Sequence, residues 1–566
     1  MNRTLHLFLL AVLGMPWVAG STTDSLGHRG KKWLSLSSGI TVSAQYYQNW
    51  GAQPRQQPFM YSISGAPALD IKGVTMPFQV LYSNQVFSYQ QPFNQFGIAP
   101  RFKLGTVYLG TSSVRFSNYT LAGQRFTGAG ADLQLGWLRL GGMYGRLKRA
   151  VLPLGNFNDP STFLNEQDAP AFRRNGYTVK LGFGKKDNFW DFIWFRAWDV
   201  VPNGSDVSLY TYAPRENVVF GVHSQFNFAK KLQWKNDWAV SAFTRNTGSD
   251  SLQIDDAKLR NWAMKIMLPR ISTQIRIAGE SSLRYLHKRI SPSFSYKRIE
   301  YDFTSLGAYY FLTDVQQFTG GLNLNFFRNR LNMGLNFGRQ NDNLQHQRLR
   351  TSYRNIGSVN VNFNPKPEWG IAMNYSNFGI TQSPLPKALN DTSRINQVNN
   401  SFSLVPRFMM QRPRGMHSLN LILGYNALSN LGASLGASAA TTSYNTSLNY
   451  NYQFSPWMLQ CGLGPSLIQT ATTLGTFRAT GASINAGKTF RKGQWVANYT
   501  LGYFSNTFND IKNGSTTSHL LSLSANVPRW PVLSLALQHL NNQSNNLLAA
   551  PTFRELYINM SVSYSF

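Results

Sequence analysis

The sequence predicts an all-β fold: a transmembrane antiparallel up-and-down β-barrel of about 26 strands, within a range of about 22–28. Three observations predict it. Apolar and polar residues alternate with period two, very short polar turns alternate with longer connections, and tryptophans recur beside the short turns. The composition agrees. Only 14% of the 566 residues are charged, a share matched by aromatics, whereas soluble domains carry roughly 25% charge. The charges are unbalanced, with 54 Lys and Arg against 24 Asp and Glu and a net of +30, so a nucleic-acid partner is the first class to weigh.

The N-terminus argues against that class. Arg3 and His6 precede the apolar run Leu7–Leu13, and Val18-Ala19-Gly20 supplies small residues before Ser21. This is the order of a secretory signal peptide, expected over residues 1–20. A short lead-in, 21–32, and a single barrel over 33–566 complete the expected organisation. A secreted chain does not meet chromosomal DNA, so no nucleic-acid partner is expected.

No later segment has the ~20 consecutive apolar residues of a membrane-spanning helix. Instead Leu331, Met333, Leu335 and Phe337 alternate with Asn332, Gly334 and Asn336. Val359-Asn360-Val361-Asn362-Phe363 and Tyr177 to Phe183 repeat the pattern. Short turns are legible at Asp70–Gly73, Gly184–Asn188, Ala229–Lys231, Leu268–Arg270, Arg328–Arg330, Pro365–Glu368, Ser455-Pro456, Arg491–Gly493 and Pro528-Arg529, with weaker ones near Gly105, Gly136, Ser305 and Pro413. Longer connections are expected at 341–351, 379–397 and 505–516. A spacing of roughly 38 residues per pair of strands leads to the count of about 26.

Trp33, Trp137, Trp190, Trp234, Trp369, Trp457, Trp495 and Trp530 fall at or just after a short turn or strand start. An amphipathic ring gains most at the boundary of hydrocarbon and water, so these eight are read as a girdle at one membrane interface.

The last segment alternates Leu556, Ile558, Met560, Val562, Tyr564 and Phe566 with polar residues. This terminal strand resembles the sorting signal of Gram-negative outer-membrane β-barrels, carried here by Tyr564 and Phe566. The resemblance implies an outer-membrane location, contact with outer-membrane lipid and lipopolysaccharide, and passage through the barrel assembly machinery. Alternation begins by Trp33-Leu34-Ser35-Leu36, which leaves no room for the N-terminal plug of TonB-dependent transporters. The periplasmic domain and cysteines of the lipopolysaccharide-assembly barrel are missing as well. Gln91–Gly97 and Gly142–Arg149 look like motifs of uncharacterised large outer-membrane proteins, which carry no activity with them.

So wide a barrel encloses a lumen its own side chains cannot fill. The connection 149–171, with Asp159, Glu166 and Asp168, is either folded inward or a solvated surface loop. Parity places Arg139, Lys180, Lys265 and Arg276 on the lumen face, opposite apolar neighbours. Residues 258–300 hold ten Lys and Arg against two Glu, among them the rim or loop candidates Arg284, Lys288 and Arg289. A basic lumen favours anionic solutes. Rim cations instead suit lipid phosphates or an acidic partner.

Little chemistry is legible. His519 and His539 flank one predicted hairpin, but no carboxylate lies near them in sequence. Cys461 shares the outward face with Trp457, Leu459 and Leu463, and a single cysteine excludes intramolecular disulfides. No enzymatic activity, cofactor or metal is expected. The leading reading is passage or export across the outer membrane through a cationic lumen. Its rival is a partner-binding or structural barrel in a surface or secretion complex.

Overall fold

A computed structural model describes residues 34–37, 39–72, 74–84, 95–150, 171–202, 207, 210, 212–253, 255–308, 313–346, 350–384, 395–430, 440–528, 530–545 and 552–565. The expected signal peptide, lead-in, Trp33, Phe566 and most of 149–171 lie outside them.

The first strands are β1 (Leu34–Ser37), β2 (Gly39–Trp50), β3 (Phe59–Gly65), β4 (Ala68–Ile71), β5 (Val74–Ser83), β6 (Gln95–Ile98), β7 (Arg101–Phe102), β8 (Gly105–Arg115), β9 (Ala122–Leu135) and β10 (Leu138–Lys148). They are followed by β11 (Arg173–Lys185), β12 (Asn188–Val200), β13 (Glu216–Phe228), β14 (Leu232–Thr244), helix α1 (Ala257–Ile266), β15 (Thr273–Tyr285), β16 (Ile290–Ile299), β17 (Val315–Phe326), β18 (Leu331–Asn341), β19 (Arg350–Lys366) and β20 (Trp369–Pro384). The last are β21 (Ile395–Arg412), β22 (Gly415–Asn430), β23 (Thr441–Phe454), β24 (Leu459–Thr472), β25 (Gly475–Phe490), β26 (Trp495–Phe508), β27 (Ile511–Ala525), β28 (Val532–Ser544) and β29 (Phe553–Ser565).

Each strand pairs antiparallel with the next, and β2 pairs with β29 from Gly39↔Ser565 to Trp50↔Arg554, which closes the sheet. β1 and β2, β3 and β4, and β6 and β7 each form one stave. The 29 segments are therefore a closed barrel of 26 strands. Strands ~4.8 Å apart and tilted ~40° give a perimeter of roughly 160 Å.

Alternation sets the faces. Leu331, Met333 and Leu335 pair with Phe363, Val361 and Val359, and these with Ile371, Met373 and Tyr375, so apolar rows run across the outside of these three strands. Asn332, Asn336, Asn360, Asn362 and Asn374 occupy the opposite parity and face the lumen. The closed sheet, apolar exterior and short-turn asymmetry are those of an outer-membrane β-barrel.

Three sequence expectations are corrected. Leu268-Pro269-Arg270 and Ser305 lie in long connections, 245–272 (which carries α1) and 300–314, while the short turn between them is 286–289. That turn reads Leu-His-Lys-Arg and has neither Gly nor Pro, so composition hid it. The connection expected over 505–516 is a hairpin: β26 and β27 pair as far as Phe508↔Ile511. Asn509 and Asp510 turn the chain at φ 48° and 61°, a conformation their short polar side chains tolerate. Asn- and Ser-rich sequence is here paired strand.

The face assignment is tested by paired substitutions. Leu335→Arg puts a cation against hydrocarbon and is expected to lower stability by ~2–4 kcal/mol, whereas Asn336→Arg, facing the lumen, changes it little. Urea midpoints in lipid vesicles measure both, and the reverse order would overturn the assignment.

Candidate functional site: a two-sided lumen wall

One row of lumen-facing side chains crosses the sheet along the hydrogen-bond direction. Arg139 on β10 is in register with Gly182, and Gly182 with Asp191, followed by His223, Asp237, Glu280 and Lys297 on β13 to β16. Some of these charges, and others on the same strands, form ion pairs. Arg139 holds Asp191 through two bonds, Nε–Oδ1 2.6 Å and Nη2–Oδ2 2.9 Å, and its guanidinium lies 4.1 Å from the Phe189 ring centroid. Asp191 is 2% exposed, a burial it sustains because the fork of Arg139 matches both oxygens. Lys180, 4% exposed, binds Asp132 and lies 4.7 Å from the Phe116 ring centroid. Arg174 holds Asp199 at 2.8 and 3.0 Å.

Two connections fold onto this charged side. Residues 116–121 follow β8: Ser117 Oγ donates to Asp237 Oδ1 at 2.6 Å and the Asn118 backbone N–H to Oδ2 at 2.8 Å. Asn118 Nδ2 and Tyr119 Oη donate to Glu280 at 3.2 and 3.3 Å. Burial first, then the charge on Glu280, push the Tyr119 phenol above its ordinary pKa, so it stays a donor. Residues 300–308 follow β16. Asn217 accepts from the Leu306 N–H at 2.9 Å, Ser241 Oγ donates to the Thr304 carbonyl at 2.6 Å, and Ser305 Oγ donates to the Thr120 carbonyl at 2.6 Å, joining the two connections. Beneath them Leu121, Phe126, Ile193, Phe195, Val219 and Phe303 form a buried core.

The opposite side differs. By register, β22 to β28 turn Asn420, Asn445, Asn449, Asn451, Asn485 and Asn498 inward, interspersed with Ser, Thr, Gly and a few apolar residues. Among the described residues of these seven strands, no charged side chain has lumen parity; Arg478, Lys488 and Lys512 are on the outward parity.

Arg139, Lys180 and Arg276 stand at lumen parity, and Arg276 Nε donates to the Tyr301 carbonyl at 2.9 Å. Lys265 does not: it lies on α1 in a long connection, exposed, because a helical stretch there imitates alternation over three residues. Arg284 lies near the short-turn end of β15, and Lys288 and Arg289 form the short turn, so these candidates belong to the short-turn rim. With Phe326, Arg328 and neighbours, Lys288 and Arg289 line a cavity of about 510 Å³ between adjacent short turns. The same rim carries Lys185-Lys186, Lys230-Lys231, Arg412 with Arg414, and Arg491-Lys492, against few acids such as Asp187 and Glu368.

Trp137, Trp190, Trp234, Trp369, Trp457, Trp495 and Trp530 all stand exposed at the short-turn end. Trp137 stacks on Phe183 at 5.7 Å, and Trp369 lies tilted against Phe408 at 4.6 Å. Tyr564 pairs with Ile40 at the closing seam. His519 and His539 face each other outward, 5.9 Å between rings, with His519 bonded to Tyr499 Oη; Ser518 has the opposite parity. Cys461 is exposed on the outer face. Among the described residues no His, Cys, Asp and Glu group fits a metal. Sequence parity placed Arg139, Lys180 and Arg276 but missed the acid partners of the first two, Asp191 and Asp132, which come from other strands. It also missed the two inward connections, whose only local signal is the apolar Phe116, Tyr119 and Leu121 inside a loop.

No family model matches the sequence, and no curated protein matches it. Among solved structures, the translocation pore of the P pilus usher PapC aligns with 94% of this chain and 100% of its own, at 9% identity and TM-score 0.35. OccAB2 of Acinetobacter baumannii aligns over 62% of this chain and 92% of its own, at 8% identity and TM-score 0.30. OpdK of Pseudomonas aeruginosa with vanillate aligns over 62% and 93%, at 11% identity and TM-score 0.30. Similarity of this degree concerns barrel form alone.

The inward connection depends on its carboxylates. Asp237→Ala removes the acceptor of the Asn118 N–H, and hydrogen exchange at that amide is expected to accelerate about tenfold, the equivalent of ~1.4 kcal/mol. Unchanged protection would show that the connection is held by its apolar residues alone.

Proposed function

We propose that this outer-membrane barrel serves passage of hydrophilic solutes across the membrane. The observation that carries this reading is the inner wall of β22–β28: seven adjacent strands line the lumen of a closed 26-strand barrel mainly with amides, hydroxyls and glycines, and with no charge among their described residues. A surface kept polar on its inner parity and apolar on its outer one suits water inside and lipid outside.

The finer reading from sequence was a cationic, anion-selecting lumen. Its support is weak, because Arg139 and Lys180 are neutralised by Asp191 and Asp132 and Arg276 is spent on the backbone of the inward connection. We infer weak charge selectivity instead. The excess positive charge is carried largely by the short-turn rim. There the tryptophans act as the interface girdle and the neighbouring Lys and Arg meet lipid phosphates. Tyr564 and Phe566 serve as the sorting signal for the barrel assembly machinery. The rival reading, a partner-binding barrel, draws on the same rim, with Lys288, Arg289 and Arg328 around their cavity as the surface for an acidic protein.

Purified protein in planar bilayers tests the proposal. An ion current is expected, with a chloride-to-potassium permeability ratio between about 0.5 and 2. Lys180→Met combined with Asp132→Asn should leave that ratio unchanged, since it removes a neutral pair. A silent bilayer would overturn passage, and a ratio above about 5 would restore the cationic lumen.

A further inference from the structure

The uncharged wall has a local geometry beyond its composition. On β23, β24 and β25, Asn451, Gly462 and Asn485 lie side by side in register. Asn485 Nδ2 donates to Asn451 Oδ1 at 3.4 Å across the glycine. A Cβ on Gly462 would meet Asn451 Oδ1 at 2.3 Å and Asn485 Oδ1 at 2.5 Å, so the two amides lie flush on the wall because the residue between them has no side chain. The arrangement recurs one step along the strands, where Asn449 and Ser483 flank Gly464, and on the far side of β25, where the Asn498 amide covers Gly487.

We propose that this wall is the track for neutral, polyhydroxylated solutes, sugars and their short oligomers; the proposal rests on the passage reading. An Asn amide has two donor and two acceptor positions, and a single lateral bond uses one of them. A sugar hydroxyl, itself donor and acceptor, exchanges water for such an amide at little net cost, so contacts are numerous, weak and quickly replaced. Flush amides add no obstruction. An ionic solute finds no counter-charge along β22–β28 themselves, Arg407 standing on the neighbouring β21, and the inward connections occupy the carboxylates of Asp237 and Glu280 on the opposite side. Charge complementarity therefore disfavours an anionic or cationic cargo on this face, and hydrogen-bond complementarity favours a neutral one.

The test uses the full chain in planar bilayers with two probes of equal length, maltohexaose and hexagalacturonate. Interruptions of the ion current by maltohexaose are expected to last at least fivefold longer than those by hexagalacturonate. Asn451→Ala combined with Asn485→Ala should shorten them about threefold, and a persisting open-channel current shows that the variant has folded; Asn449→Ala provides a second, milder variant with the same direction. Equal or longer interruptions by hexagalacturonate, or unchanged maltohexaose interruptions in both variants, would overturn this inference while leaving passage intact. A channel without current would overturn passage and this inference together.

Discussion

Every backbone N–H and C=O of a chain surrounded by hydrocarbon must find its partner within the chain, and the pairing of β2 with β29 is what meets that condition here. An open sheet of the same strands would leave two edges unpaired in lipid. Closure then dictates much of the rest. It makes every strand two-sided, one face to lipid and one to the lumen, so alternation is obligatory on 26 strands and not merely favourable.

Closure at this size creates its own difficulty, a lumen that strands alone cannot fill. The protein meets it asymmetrically. On one side, ionisable groups are packed against each other and roofed by two connections, and the arrangement holds because each buried charge has a specific partner. Asp191 without Arg139 would be an unpaired buried carboxylate, a defect that costs ~3–5 kcal/mol. On the other side, amides and hydroxyls stay wet and no pairing is required. The division separates rigidity from permeability: one half of the wall is built as a packed core, the other as a solvated surface.

The strand pattern was legible because period two is a local signal, and the row Leu331 to Phe337 declares its faces without any neighbour. The same parity located Arg139, Lys180 and Arg276. It failed at Lys265, where a few residues of helix mimic alternation, and at the turn 286–289, which has no turn-forming residue. What could not be read were relations between strands. That Asp191 neutralises Arg139, or that Asn451 and Asn485 close over Gly462, depends on register between segments distant in sequence. The inward path of 116–121 depends likewise on Asp237 and Glu280, more than a hundred residues further along the chain.

The cationic short turns also bear on how such a sheet enters a bilayer. A hairpin inserting from one side must carry its leading turn through the hydrocarbon while its trailing ends stay behind. At the far end, the tight turns Thr472–Gly475 and Asn509-Asp510 bring no cation across. Leading instead with Lys230-Lys231, Lys288-Arg289 or Arg491-Lys492 would take two cations through the midplane, at ~2–4 kcal/mol each. For these tight hairpins the charge of the turns favours entry with the far end leading, whereas the long connection 245–272, with Lys258, Arg260, Lys265 and Arg270, brings cations at that same end, so the preference belongs to the tight turns alone.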